Sequence, residues 1–156
     1  MKLATICFCL RDNEVLLAPK KTDFGIGKLD GYGGGVKNDE TPALAAIREL
    51  REESSLVAFP NDLDNVAIIE FLYDGVPKFK CHIYTVRIWQ GEPVETEEMG
   101  PPEWHSLPRL PYDRMLPADG YWVPVVLVSR LRINGHVFYN AEGTAVNGFS
   151  FQPLSP

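Results

Sequence analysis

Cysteine and histidine are scarce in this sequence, which has only three of each. A structural zinc site needs about four such ligands at short, regular spacings, and no such group is present. The cysteines are Cys7, Cys9 and Cys81. Their number is odd, and Cys7 and Cys9 alternate within an apolar run, so we expect buried, reduced thiols rather than a disulfide framework. Reduced thiols indicate a cytoplasmic protein.

Long apolar segments and an excess of basic residues are also missing. No apolar run approaches the roughly 20 residues that a membrane-spanning helix requires. The N-terminal MKLATICFCL has one lysine and no A-x-A cleavage site, so we interpret it as a strand, not a signal peptide. The net charge of −6 argues against a general attraction to nucleic acid. We therefore expect a small-molecule partner, not a membrane or a nucleic acid polymer; a bridging metal ion would let this acidic protein bind a polyanion.

The 156 residues, 45% of them apolar, are sufficient for one domain over 1–156 with its own core. Apolar runs bounded by turn residues predict strands at 3–10, 15–18, 65–73, 78–90, 103–107, 133–140 and 144–151. Residues 20–30 are predicted as a loop and 119–130 as a short helix. We interpret the fold class as α+β, with a mixed sheet covered by helices on its faces.

A longer helix is predicted to follow Thr41, which is a good N-cap residue. Pro42 suits the first helical position, and the following residues are strong helix formers. Because Leu44, Ile47 and Leu50 share one side of this helix, we expect that side to pack on the sheet.

Three glutamates of the same helix, Glu49, Glu52 and Glu53, have the spacing that places side chains on one face, roughly opposite the apolar side. Like charges at this spacing repel each other, and a bound cation relieves that repulsion. Carboxylates suit Mg²⁺ or Mn²⁺, with phosphate oxygens completing the shell. The alternative is a solvated acidic face paired with nearby arginines. A glycine run just before the helix favours the metal–phosphate interpretation, since glycines let the backbone approach a ligand. The Gly-Lys-Ser/Thr ending of a P-loop is absent.

The segment GGGVKNDETPALAAIRELREESSL fits the pattern G-x5-E-x7-R-E-U-x-E-E-x-G-U, where U is aliphatic. The positions in register are Gly34, Glu40, Arg48, Glu49, Leu50, Glu52, Glu53 and Leu56. Ser55 departs from the pattern, which has glycine there, a residue that favours a left-handed helix ending. The segment resembles the Nudix box, and nearly the whole chain resembles the MutT-type Nudix hydrolases that act on oxidised purine nucleoside triphosphates.

This resemblance implies a fold, a reaction and a metal site. The fold is an α/β/α sandwich around a mixed sheet, and the reaction is Mg²⁺-dependent hydrolysis of a nucleoside triphosphate to the monophosphate and pyrophosphate. The implied metal ligands are Glu49, Glu52, Glu53, Glu98 and the Gly33 carbonyl. Arg48 is expected to orient the glutamates by salt bridges, and Glu53 or Glu98 to act as the general base.

The resemblance also implies a pocket for the base. Its residues are Thr5, Lys20, Phe24, Asp30, Leu116, Ala118, Asp119 and Trp122. Lone aromatic residues are more often core, which is the alternative for Phe24 and Trp122, and Lys20 has the alternative of a solvated loop lysine. We favour the pocket interpretation for Asp119 and Trp122.

Three pocket positions depart from the enzymes that hydrolyse 8-oxo-dGTP. Those enzymes have Asn at the position of Asp30, paired aspartates at Ala118-Asp119, and Trp at Leu116. An ionised aspartate only accepts hydrogen bonds, so Asp30 should disfavour a guanine O6 and favour an adenine amino group. We expect a purine-type triphosphate as substrate, with a weakened or changed preference for 8-oxo-dGTP.

Two other functions are compatible with the box. The chain could hydrolyse a different nucleoside diphosphate derivative, such as ADP-ribose or a dinucleotide. It could also be a binding module without activity, although the intact set of three glutamates argues against that.

Overall fold

A computed structural model of the protein describes residues 1–155. Within them the chain forms nine strands: β1 (Lys2–Arg11), β2 (Glu14–Pro19), β3 (Leu29–Asp30), β4 (Tyr32–Gly35), β5 (Leu63–Tyr73), β6 (Val76–Val86), β7 (Glu103–Ser106), β8 (Ile133–Tyr139) and β9 (Val146–Pro153). The helices are α1 (Pro42–Ser54) and α2 (Asp119–Val123), which a π-helical segment (Pro124–Val128) extends. Short 3₁₀ turns lie at Pro60–Asp62, Leu107–Arg109 and Tyr112–Arg114.

The strands form one connected sheet in the order β3-β2-β1-β6-β5-β8-β9, with β4 paired to β1 and β7 paired to β2. The pairs β1–β6 and β5–β8 are parallel, whereas the other pairs are antiparallel. The predicted mixed sheet is therefore confirmed. None of the helices in residues 1–155 is both long enough and apolar enough to cross a membrane.

Side chains of β1 alternate between two separate cores, one on each face of the sheet. Cys7 and Cys9 pack with Leu50 of α1, whereas Phe8 and Leu10 pack with Trp122 of α2. This alternation follows from the two-residue period of a strand. The three-layer sandwich is thus the observed architecture, and all three cysteines are free and buried, as the sequence predicts.

Helix α1 begins as predicted, but its buried side differs from the prediction. The Thr41 Oγ1 atom accepts a hydrogen bond from the Leu44 N–H at 3.2 Å, and Pro42 occupies the first turn. Leu50 is buried as predicted, but Leu44 is 47% exposed, and the other buried residues of the helix are Ala45, Ala46, Glu53 and Ser54. Small alanines let α1 lie close to the glycine strand β4. The prediction that the glutamates lie opposite the packed side was therefore wrong for Glu53, which is only 7% exposed, whereas the Glu52 side chain is 47% exposed.

Three element boundaries also differ from the prediction. β6 ends at Val86 instead of residue 90, and the predicted loop at 20–30 contains the short strand β3. The predicted helix over 119–130 changes character at Pro124. Pro124 has no N–H to donate to the Gly120 carbonyl, so the α-helical pattern is interrupted there. The segment that follows is π-helical, with the Ser129 N–H donating to the Pro124 carbonyl five residues earlier at 2.9 Å.

Candidate active site

Strand β4 lies between β1 and α1, and at Gly33 the backbone of β1 is too close for any residue with a Cβ atom. A Cβ atom at Gly33 would overlap the Thr5 carbonyl oxygen, and one at Gly34 would lie 2.6 Å from the Glu49 Oε1 atom. The glycine run therefore lets the helix carboxylates come directly against the strand backbone. This close approach is the structural reason for the glycines that precede the helix.

Arg48 joins the loop before α1 to the helix glutamates. Its guanidinium donates two hydrogen bonds to the Glu40 carboxylate, at 2.6 and 2.9 Å, and one to Glu49 Oε1 at 2.8 Å. It also donates to the Gly35 carbonyl at 3.0 Å. The hydrogen bonds from Arg48 to Glu40, together with one from the Lys37 N–H, lower the pKa of Glu40 to about 2. These contacts place Arg48 beside the glutamates, and the orienting role that the family resemblance implies for it stays a prediction.

Glu49, Glu53 and Glu98 form a carboxylate cluster whose nearest oxygen atoms all lie within 4.8 Å of one another. Burial raises the pKa of Glu53 to about 8, and the negative charges of Glu49 and Glu98 also raise this pKa. The Gly33 N–H donates to Glu53 Oε1 at 2.9 Å, and this hydrogen bond opposes the rise. Carboxylates crowded together in this way are the hard oxygen donors that a divalent cation prefers. The donor set therefore fits such an ion.

Thr96 holds the loop that carries Glu98 against the end of α1. Its Oγ1 atom donates to the Glu53 carbonyl at 3.0 Å and accepts from the Glu98 N–H at 3.3 Å. The Lys21 N–H also donates to the Glu98 carbonyl at 3.0 Å. Glu98 thus reaches the cluster from a separate part of the chain.

Glu52 and the Gly33 carbonyl occupy different positions relative to this cluster. Glu52 lies outside it, 47% exposed, with one oxygen 3.3 Å from Arg48. In an antiparallel pair, the N–H and C=O groups of a residue point to the same edge. Since the Gly33 N–H points at Glu53, the Gly33 carbonyl faces the same edge as the cluster.

Glu53 of the carboxylate cluster lines a cavity of about 230 Å³ that reaches between β1, β4 and the far strands. Of the predicted base-pocket residues, those that line it are Thr5, Lys20, Phe24, Asp30 and Leu116. Gly33, Gly34 and Glu53 line its other end. One continuous space therefore connects the acidic cluster with the predicted base site.

Two buried polar side chains face this cavity. Asp30 is 7% exposed, and its Oδ1 atom accepts a hydrogen bond from the Gly31 N–H at 2.8 Å. Burial raises the pKa of Asp30 to about 6, although the positive charge of Lys20 opposes the rise. The Thr5 hydroxyl is buried and has no hydrogen-bond partner within residues 1–155. A ligand can therefore supply the missing partner to Thr5 and a second one to Asp30.

Three predicted pocket residues are not among those that line the cavity. Ala118 and Trp122 belong to the core, where the Trp122 ring lies 6.1 Å from the Phe8 ring. Asp119 is 4% exposed and accepts a hydrogen bond from the Leu116 N–H at 3.2 Å. Burial and the charge of Asp30 both raise the pKa of Asp119. The assignment of these three residues to the substrate stays a prediction.

Sequence reasoning missed one wall of the cavity. This wall is mainly aromatic and consists of Phe71, Tyr73, Phe79 and Tyr139. The alternation of side chains between the two faces of β5 and β6 was visible in the sequence. Which rings meet on one face of the sheet depends on the register between the strands. Phe71 pairs with Phe79 across β5–β6, and Tyr73 pairs with Tyr139 across the parallel β5–β8 contact.

Comparison with known proteins agrees with this geometry. A model of the NUDIX domain matches residues 1–126. The chain is 35% identical over 147 residues to the oxidized purine nucleoside triphosphate hydrolase of Mus musculus, covering 94% of this chain and 92% of the relative. It is 37% identical over 127 residues to the protein of that name in Danio rerio, covering 81% of this chain and 80% of the relative.

Among solved structures, a MutT protein from Bacillus halodurans superposes with a TM-score of 0.80 at 19% identity, covering 99% of this chain and 100% of that chain. That similarity shows the fold. The family model and the two animal relatives confirm the family resemblance predicted from the box. The chain therefore belongs to the NUDIX family.

Proposed function

We propose that the protein is a Mg²⁺-dependent pyrophosphohydrolase that converts oxidised purine nucleoside triphosphates to the monophosphate and pyrophosphate. The observation that carries this proposal is the single cavity that joins a carboxylate cluster to a largely apolar, aromatic-walled pocket. Its two ends suit the two halves of a nucleotide. The names of the mouse and zebrafish relatives favour an oxidised purine base. Such an activity cleanses the nucleotide pool, and the free cysteines suit a cytoplasmic location.

Nudix hydrolases generally use a divalent metal, and Mg²⁺ is the ion that we propose, with Mn²⁺ as a substitute. Its ligands in the proposal are Glu49, Glu52, Glu53, Glu98 and the Gly33 carbonyl. When bound, the ion supplies charge neutralisation for the triphosphate and a lowered pKa for its water. Arg48 fixes the direction of the glutamates, and Glu53 or Glu98 accepts the proton of the attacking water.

The base is proposed to lie in the pocket that Asp30 and Thr5 face. The ionised Asp30 carboxylate accepts a hydrogen bond from the edge of the purine, whereas the protonated carboxyl donates one to it. The Thr5 hydroxyl gains from the base the hydrogen-bond partner that it lacks. Phe24 and Leu116 cover the ring at the cavity mouth, with Lys20 close to Asp30. Ala118, Asp119 and Trp122 complete the proposed pocket, Asp119 by holding the segment that carries Leu116.

We propose that all of 1–156 acts as one domain, since β8 and β9 join the same sheet through β5.

A panel of nucleotides with Mg²⁺ tests the proposal. The expected result is release of pyrophosphate and monophosphate, with the highest kcat/KM for oxidised guanine or adenine triphosphates over the unmodified ones. Cleavage of ADP-ribose or a dinucleotide without activity on triphosphates would replace the proposal with another Nudix reaction. Binding of nucleotides without any product would indicate a binding module.

A further inference from the structure

The loop that carries Glu98 is strongly acidic. Its segment EPVETEE, residues 92–98, contains four glutamates and no lysine or arginine. The fold nevertheless places this acidic loop beside the glutamates of α1, where the Val94 N–H donates to the Ser54 carbonyl at 3.0 Å and the Glu98 carboxylate joins the cluster. Because like charges repel, the metal-free protein needs a contact that holds the acidic loop against the helix.

Lys21 is the only residue in 1–155 that forms an ion pair with the acidic loop. Its Nζ atom pairs with Glu95 Oε2 and also donates to the Thr96 carbonyl at 2.8 Å. The main chain adds a third contact, because the Lys21 N–H donates to the Glu98 carbonyl at 3.0 Å. Lys21 therefore meets the acidic loop at three points, and the last of them is Glu98 itself.

The carbonyl that Lys21 holds belongs to the residue that connects the acidic loop to α1. The Thr96 Oγ1 atom donates to the Glu53 carbonyl at 3.0 Å and accepts from the Glu98 N–H at 3.3 Å and the Met99 N–H at 3.2 Å. A short chain of contacts thus runs from the Lys21 ammonium group through Thr96 to the backbone of two residues of the carboxylate cluster.

The alternative is an exposed ion pair of no consequence. Such pairs add little to stability, and the side chains of Lys21 and Glu95 are 39% and 49% exposed. The Lys21 ammonium group also holds a backbone carbonyl, however, and it lies where several like charges are brought together. A metal site requires ligands within about 0.5 Å of the correct geometry, so a contact of little weight for folding can still decide how well the ion binds.

We propose that Lys21 is a positioning residue that holds Glu98 against Glu49 and Glu53, and so prepares the metal site before the ion binds. Lys21 touches neither the ion nor the nucleotide, and it acts through Thr96 and the backbone of Glu98. Its effect on hydrolysis rests on the proposed function, whereas its hold on the acidic loop does not.

Two measurements on the full chain test this proposal with Lys21→Met, which keeps the length of the side chain but removes its charge. Amide hydrogen exchange of the EDTA-treated protein at Val94 reports whether the acidic loop lies on α1, and we expect it to be about tenfold faster in the variant. Mn²⁺, titrated alone and followed by the EPR signal of the free ion, should bind about fivefold more weakly. Lys21→Arg, which keeps the charge, should restore both properties.

Lys28→Met is the matched control. Lys28 is close to Lys21 in the chain and carries the same charge, but within residues 1–155 its side chain forms no ion pair. This variant should match the original chain in both measurements. Equal effects of the two methionine variants would overturn the proposal. A lower Tm of Lys21→Met with unchanged exchange at Val94 and unchanged Mn²⁺ affinity would also overturn it, because Lys21 would then act on overall stability alone.

Nucleotide hydrolysis is measured separately, and Lys21→Met should raise the Mg²⁺ concentration at half-maximal rate by about fivefold. If the original chain binds Mn²⁺ but hydrolyses no nucleotide, the proposed function fails, and hydrogen exchange and Mn²⁺ affinity still decide whether Lys21 positions Glu98. If the original chain binds no Mn²⁺, both proposals fail.

Discussion

Among individual residues, Glu53 combines burial, a backbone hydrogen bond and a place in the carboxylate cluster. Glu53→Gln keeps an oxygen acceptor for the Gly33 N–H but removes the charge that a cation needs. We expect kcat to fall at least 100-fold, about 2.7 kcal/mol of transition-state stabilisation, with the fold intact. Glu52→Gln should also lower kcat, but less, because Glu52 lies half-exposed beside Arg48.

Steady-state kinetics and circular dichroism check this expectation. The exposed Glu92→Gln is the control and should leave kcat unchanged. Near-normal turnover in both the Glu52 and Glu53 variants would contradict the metal-site assignment.

We expect Asp30 to make the base preference of the enzyme dependent on pH. Its raised pKa of about 6 means that the carboxyl is protonated, and able to donate, below that pH, whereas above it the carboxylate only accepts. We therefore expect the ratio of kcat/KM for an oxidised guanine triphosphate to that for an oxidised adenine triphosphate to fall as pH rises through about 6. Taking this ratio cancels metal effects that both substrates share.

Asp30→Asn supplies the comparison, since an amide donates and accepts at every pH. The ratio should then be flat over the same pH range and higher than in the original chain at neutral pH. A ratio that changes equally with pH in both proteins would assign the effect to another group.

Turning to the elements, α1 ends at a residue whose backbone suits glycine. Ser55 has φ of +70°, in the left-handed region, and its N–H donates to the Arg51 carbonyl at 2.9 Å. A non-glycine residue in this conformation destabilises the folded state, and glycine avoids that cost. Glycine also makes the unfolded chain more flexible, which cancels part of the gain in stability. We expect Ser55→Gly to raise the free energy of unfolding by about 0.5–1 kcal/mol.

Urea unfolding with an unchanged m value measures this difference. Ser55→Ala is the matched control, because alanine keeps the Cβ atom and should give no such gain. Equal stability of the glycine and alanine variants would show that the left-handed ending is not strained.

The start of α1 was predictable from the sequence, whereas its buried side was not. Capping depends on neighbours in the chain, so Thr41 and Pro42 identified the helix start directly. The buried side depends on what lies opposite, and the close glycine strand selects Ala45 and Ala46 over the larger Leu44. The change to π-helix at Pro124 is local in origin, but its outcome requires packing that a linear pattern does not contain.

In the molecule as a whole, local patterns predicted one end of the site better than the other. The helix glutamates and Arg48 lie within one short segment, so their spacing alone brings them together. The aromatic wall with Phe71 and Tyr139 is assembled by strands far apart in the chain, and its members follow only from the strand register. Trp122 likewise packs beside Phe8 in a core cluster through contacts between distant segments, and its assignment to the base pocket stays a prediction.

Because the carboxylate cluster is assembled from distant segments, we expect metal binding to require the folded molecule. Helix α1 carries Glu49 and Glu53, whereas a separate loop carries Glu98, so the unfolded chain has no such cluster. A ligand that binds only the folded state at a hundredfold excess over its Kd adds about 2.7 kcal/mol. For a chain of this size that free energy corresponds to a rise in Tm of roughly 5–10 °C.

We expect this rise when Mg²⁺ is added to the EDTA-treated protein, measured by calorimetry against NaCl at equal ionic strength. Glu92→Gln should show the full rise and Glu53→Gln a much smaller one; equal rises in the two variants would make the effect of Mg²⁺ a general salt effect.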